Sequence, residues 1–204
     1  MSIPKTIFVI SGPSGSGKTT LLKGILSDRL LRRKLARSVS YTTRPKRSGE
    51  KNGRDYYFIT AQEFQEKLRS KKLLEWTEYL GYYYGTPTTF FSDKYSAKSG
   101  LLLCLDIKGA RRVRELYPKN SVSIFVMPLS LKLLPERIQK RCSRTGAKEI
   151  EQRLALAEEE VRASRHYEYR IVNKDLGKAI AALRTIIKKE LSAQAVRNKR
   201  GVRT

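Results

Sequence analysis

The stretch that most restricts this chain is Thr6 to Thr20, where TIFVI runs into SGPSGSGKTT. The short apolar run reads as a buried strand, and the residues from Lys18 to Leu30 carry helical periodicity. Between them, Gly12 to Thr19 fits the pattern G-x-x-x-x-G-K-[ST]. A strand, a glycine loop and a helix in that order form a phosphate cradle. Glycines let backbone N–H groups curl around the oxygens, and the helix presents its positive dipole end to them. Lys18 is expected to reach the β- and γ-phosphates, and the Thr19 hydroxyl to ligate Mg²⁺. The expected triphosphate contacts are Gly12, Pro13, Ser14, Gly15, Ser16, Gly17, Lys18, Thr19 and Thr20, with ATP as the expected nucleotide.

The rest of the chain limits what can surround such a cradle. Its 204 residues suit one domain that can carry inserted subdomains, and 40% hydrophobic residues exclude a disordered chain. No apolar run approaches the ~20 residues that span a bilayer, and TIFVI is too short for a signal-peptide core. Cys104 and Cys142 form no CxxC pair and no disulfide framework, so a reducing cytoplasm is the simple expectation. A net charge of +24 attracts polyanions without choosing among nucleotides, nucleic acids and anionic membranes.

Four apolar runs read as core strands: Thr6–Ile10, Leu101–Asp106, Ser121–Met127 and Tyr169–Val172. Helical patterns separate most of them, which predicts an α/β fold with a central parallel sheet. Thr60 and Glu63 form a capping box before a helix over Ala61–Lys71. Further helices are expected at Lys108–Leu116, Leu131–Arg141, Glu149–Arg162 and, capped by Asp175, Leu176 to about Leu191. Residues 37–90 are instead rich in tyrosines and turns and read as an inserted subdomain of mostly antiparallel strands. The core is then 1–36 and 101–192, and 193–204 is a basic tail.

The insertion contains SVSYTTRPKRSGEKNGRDYYF and EWTEYLGYYYGT. Together with the glycine loop, these stretches resemble the guanylate kinases, from about Thr6 to about Leu191. The matching residues are Ser38, Ser40, Thr42-Thr43-Arg44, Arg47, Gly49-Glu50, Gly53, Asp55-Tyr56, Phe58 and Glu75 to Thr86. The resemblance implies a P-loop NTPase core with a GMP-binding insertion and a mobile lid over about 137–153. It implies GMP contacts at Ser40, Arg44, Arg47, Tyr56, Glu75, Tyr84, Thr86 and Asp106. It also implies lid arginines at Arg137, Arg141 and Arg153, and Asn173 near the adenine. The residue chemistry agrees. Arginines offer forked donors to a phosphate dianion, phenols donate to its remaining oxygens, and Glu75 can accept from N1–H and the 2-amino group of guanine.

Blander readings stand beside these. The arginines suit a solvated basic face or helix-surface ion pairs, Tyr56 and Tyr84 suit subdomain packing, and Asp106 suits a helix cap. Where the family usually carries D-I-D-x-Q-G, this chain has Cys104-Leu105-Asp106-Ile107-Lys108-Gly109. Asp106 keeps the second acidic place, expected to serve GMP and Mg²⁺, while Cys104 replaces the first acid and Lys108 the glutamine. The acidic lid stretch is replaced by CSRTGAK.

The implied reaction is Mg²⁺-dependent transfer of the ATP γ-phosphoryl group to GMP, with dGMP also expected as acceptor. No specific nucleic acid and no membrane is expected as a partner, and monomer and homodimer are both open. The rival readings are a kinase for another monophosphate, a non-catalytic scaffold on the same fold, and a nucleic-acid-binding protein.

Overall fold

The computed structural model describes residues 6–91, 97–141 and 147–201. The chain starts with β1 (Thr6–Ser11), α1 (Lys18–Ser27), α2 (Arg29–Lys34) and β2 (Leu35–Arg37). The inserted stretch forms β3 (Tyr41–Thr42), β4 (Tyr57–Phe58), α3 (Ala61–Arg69), β5 (Leu73–Tyr79) and β6 (Tyr82–Pro87). The core resumes with β7 (Gly100–Cys104), α4 (Ile107–Leu116), β8 (Ser121–Pro128), α5 (Leu134–Arg141), α6 (Ala147–Ala163), β9 (Tyr169–Asn173) and α7 (Leu176–Gly201).

The core sheet has the order β2-β7-β1-β8-β9, and every neighbouring pair is parallel. Its strands alternate between two apolar layers, as a period of two requires. Phe8 and Ile10 pack with Leu21, Leu22 and Ile25 of α1 and Leu183 and Ile187 of α7. Ile7 and Val9 face the other way, onto Ala110 and Val113 of α4. Because β1 is central, the strand order reverses beside it, and the crevice at the carboxyl ends of the strands opens there.

Three expectations needed correction. The first helix does not run to Leu30. Asp28 stops it and accepts hydrogen bonds from Leu30 N and Leu31 N at 3.0 and 3.2 Å, starting α2. Among the described residues the core has five strands rather than four, because Leu35–Arg37 pairs with Gly100–Leu102. A three-residue strand carries too little periodicity to be read from sequence. The last helix continues past Leu191 to Gly201, so the basic tail is helical over most of its length. No proline or glycine interrupts it after Gly177, and alanines such as Ala193 and Ala195 favour the helix.

The capping box at Thr60 and Glu63 is present, and Asp175 caps α7 through Lys178 N at 2.7 Å. The insertion forms its own sheet, β4-β3-β6-β5, with β3–β4 parallel and the other two pairings antiparallel. Leu74 of β5 packs onto the α4 side of the core, so this sheet borders the crevice. Residues 142–146, within the expected lid, lie outside the described residues, as does the Arg141 side chain.

Candidate active site at the carboxyl ends of the core strands

β1 delivers the chain into the glycine loop. Gly17 sits at φ 95°, and a side chain there would land on the Asn173 amide. That amide donates to Ser16 O at 2.8 Å. Asn173, at the end of β9, therefore braces the loop, a contact its sequence position did not reveal. The Lys18 ammonium donates to Gly12 O and to Pro13 O, the latter at 2.9 Å. The Ser16 hydroxyl is fully buried and has no hydrogen-bond partner among the described residues.

Two of the arginines expected in the lid reach the same loop. Arg153 is 6% exposed and donates through Nη1 to Ser14 Oγ at 3.1 Å. Its Nε and Nη2 are held by Glu149 at 2.9 and 2.6 Å, which fixes the fork. Arg137 Nη1 lies 3.5 Å from Gly15 O. Both readings of these arginines thus have a part. Arg153 makes a helix ion pair, and the same side chain reaches the phosphate cradle.

The insertion supplies the opposite wall. Arg44 is buried, with Nη2 2.9 Å from each Glu50 oxygen and Nη1 on Pro45 O. Glu50 also accepts from Arg47 N at 2.9 Å, so one carboxylate holds the Arg44 fork and the Arg47 backbone. The guanidinium lies 5.6 Å from the Tyr56 ring centroid, and Tyr56 meets Tyr84 edge-on. Glu75 is 5% exposed and accepts from Thr86 Oγ1 at 2.5 Å. Burial raises its carboxyl to about 7; the Thr86 hydrogen bond opposes this and the Asp106 charge adds to it.

A single cavity of about 760 Å³ joins the two walls. It is lined by Gly12, Ser14, Gly15, Gly17, Lys18, Thr19, Thr20, Arg137, Arg153 and Asn173 on one side. Ser40, Arg44, Arg47, Tyr56, Glu75, Tyr84 and Asp106 line the other. Pro13, Ser16 and Thr86 stand behind the wall, Thr86 acting on it through Glu75. Asp106 lines the cavity and also caps α4, accepting from Gly109 N at 2.8 Å. Cys104 is half-buried and on the wall rather than sealed in the core, whereas Lys108 is exposed and off it. Tyr57 and Tyr82 are partly exposed, and Tyr83 stacks on Phe64, so these three stay outside the site. His166 lies outside it too, beside Arg165.

Several wall residues were given no role in the site from sequence. Arg37 Nε and Ser38 Oγ face the cavity wall as buried polar atoms without partners among the described residues. Thr77, Tyr79 and Glu160 also line it. Burial raises the Glu160 carboxyl to about 7, against the pull of the Lys18 ammonium and with the push of Asp106.

Gly109 leaves room for the Glu75 carboxylate: a Cβ there would land on Glu75 Oε2. Gly109→Ala is expected to push that carboxylate out of place at a cost of about 1–3 kcal/mol. Affinity for GMP should fall about ten- to hundredfold while affinity for ADP holds. Calorimetric titration with each nucleotide checks this, and an equal loss for both would assign Gly109 a purely structural part.

A phosphate cradle, two arginines directed at it and a facing pocket with its own arginines define a P-loop kinase that acts on a second, small phosphorylated substrate. The guanylate kinase family model matches residues 4–190. The chain is 42% identical to a guanylate kinase of Symbiobacterium thermophilum, covering 94% of this chain and 88% of that one. It is 40% identical to one from Wolbachia sp. subsp. Brugia malayi, over 90% and 92% of the two chains. The crystal structure of guanylate kinase from Anaplasma phagocytophilum superposes with a TM-score of 0.71 at 31% identity, covering 94% and 88%. The chain belongs to the guanylate kinase family, enzymes that phosphorylate GMP with ATP.

Proposed function

We propose that the glycine loop holds ATP, that the insertion wall holds GMP, and that the γ-phosphoryl group passes between them across the shared cavity. The observation that carries this reading is the single cavity with Lys18 at one end and the Glu75–Thr86 pair at the other. Arg44, Arg47, Tyr56 and Tyr84 take the GMP phosphate, and Glu75, held by Thr86, takes the guanine edge together with Ser40. Asn173 serves the ATP side by holding the loop. The acceptor phosphate is already anionic, so no general base is needed, and catalysis rests on in-line positioning and charge stabilisation. Lys18, Arg137 and Arg153 neutralise charge on the moving group, and Arg141 is proposed as a third lid cation.

Thr19 and Asp106 are the residues that would hold Mg²⁺. The fit is chemical. Both offer oxygen, and among the described residues no three His, Cys, Asp or Glu side chains converge to hold a bare ion. A hard cation that keeps most of its waters suits such a site. If bound there, Mg²⁺ would supply charge neutralisation for the phosphates. Among the described residues no helix is long and apolar enough to cross a membrane.

A coupled assay of ADP formation with GMP, dGMP, AMP and UMP tests the assignment. Turnover with GMP and dGMP is expected, and comparable turnover with AMP or UMP would overturn it.

The raised Glu75 carboxyl sets a pH dependence. Only the ionised form accepts from both guanine donors, and with a value of about 7 it is mostly neutral at pH 6. GMP affinity is therefore expected to rise about tenfold from pH 6 to pH 8 and then level. The GMP phosphate titrates as well, so the measurement is the difference between wild type and Glu75→Gln. The variant should lose this component, and parallel profiles would mean that Glu75 is not the titrating group.

A further inference from the structure

The buried face of α6 carries three residues, Arg153, Ala157 and Glu160. Their spacing places them on one stripe of the helix. Two of the three are charged, which is unusual for a face turned to the interior. Arg153 is accounted for by Glu149 and Ser14. Glu160 is not. It is 8% exposed, it lines the nucleotide cavity, and its Oε2 is buried with no hydrogen-bond partner among the described residues.

An unpaired buried carboxylate is destabilising. A glutamine or leucine would fill the same space without that cost, so packing does not account for the acid. Pairing does not account for it either. The nearby cations make their hydrogen bonds elsewhere, Arg153 to Glu149 and Ser14, and the Lys18 ammonium, whose charge favours the Glu160 carboxylate through space, to loop carbonyls. Glu160 instead shares the cavity with Asp106, whose charge acts against its own. Two carboxylates that repel each other beside a phosphate cradle are stabilised together by a divalent cation. Direct coordination by an acidic cluster does not fit, because no such cluster converges among the described residues. Contact through the cation's water shell does fit, since a small hard cation gives up its waters reluctantly.

We propose that Glu160 is a positioning residue for phosphoryl transfer: with Asp106 it accepts hydrogen bonds from the water shell of the divalent cation that accompanies the nucleotide. The proposal rests on the assignment of the glycine loop as the ATP site and of Thr19 and Asp106 as the metal residues. Glu160 then orients the hydrated ion, and through it the phosphates, without touching either substrate. Outer-sphere partners of this kind typically contribute ten- to a hundredfold to metal affinity.

The test measures ADP affinity of the full chain by calorimetry, once with Mn²⁺ and once with EDTA, and takes the ratio as the metal coupling. Mn²⁺ binding to the ADP complex is read independently by electron paramagnetic resonance. Glu160→Gln is expected to reduce the coupling about tenfold, leave ADP affinity in EDTA unchanged, leave KM for GMP unchanged, and raise Tm at pH 8 by removing an unpaired charge. Glu160→Asp should keep part of the coupling, and it serves as the second variant if the amide fails to fold. Unchanged coupling in both variants overturns the proposal. So does a loss of ADP affinity already present in EDTA, which would make Glu160 a partner of Lys18 instead. These titrations need no turnover. A wild-type chain that failed to phosphorylate GMP would sink the substrate assignment and still leave the metal coupling measurable.

Discussion

Glu75→Gln is expected to erase most of the preference for GMP over AMP. Glu75 is buried, its Oε1 is taken by the Thr86 hydroxyl, and its Oε2 lies in the space that Gly109 leaves open. A carboxylate held this way meets guanine as two donors in a row, N1–H and the 2-amino group. Adenine presents a lone pair at N1 and a bare carbon at C2, so the anion would be desolvated and left unpaired. Sites built on such hydrogen bonds discriminate by about 10⁴ or more. The amide keeps the shape and turns one acceptor into a donor that suits adenine N1. GMP should lose most of its kcat/KM while AMP gains in relative terms. Glu75→Ala should lose GMP without a comparable gain for AMP. The measurement is kcat/KM for both nucleotides in wild type and both variants, and an unchanged GMP:AMP ratio throughout would remove Glu75 from base recognition.

Lys18→Ala is expected to lower kcat by a factor of about 10²–10³, by analogy with removing one charge-stabilising donor from a preorganised site. The side chain is half-buried, and its present partners are two carbonyls of its own loop. It holds no part of either apolar layer, so the fold should survive. Two lost hydrogen bonds are worth about 1 kcal/mol each, and for a chain of this size that lowers Tm by about 4–8 °C without abolishing the transition. Kinetics beside a thermal melt separate the two effects. Near-normal turnover by this variant is the result that would end the kinase reading, whereas a collapsed melting curve would shift the loss to folding.

The parts of the site that were readable in the chain are those whose chemistry is written in local spacing. The glycine loop is one contiguous run, and Arg44, Arg47 and Tyr56 fall within a dozen or so residues of one another. Glu75 and Thr86 meet because they are register partners in the β5–β6 hairpin. Glu160 was hidden for the opposite reason. It ends the run Glu158-Glu159-Glu160, which reads as a solvated face, and only the phase of α6 against the core turns the third acid inward. The spacing from Arg153 through Ala157 to Glu160 was a usable signal, because it sets two charges on one stripe with an alanine. Asn173 and Arg153 act on the loop across long sequence separations, and no local pattern fixes those contacts. The same limit hid β2, whose pairing with β7 depends on a partner far along the chain.

The connectivity of the core sheet also governs how the molecule is made. β1 has no local partner: Thr6 lies opposite Gly100, and Ile7 lies opposite Ser121. The β5–β6 hairpin, by contrast, closes over a tight turn at Leu80–Gly81. Local pairings form in microseconds, while a parallel sheet waits for distant segments and folds late. On the ribosome, the insertion can organise before the strand that carries the glycine loop has anything to pair with. Nascent chains that stop short of β8 will therefore leave that strand bare on one side and bind no nucleotide. The cradle is synthesised before the insertion, yet it becomes able to hold its ligand only after the insertion can already have folded.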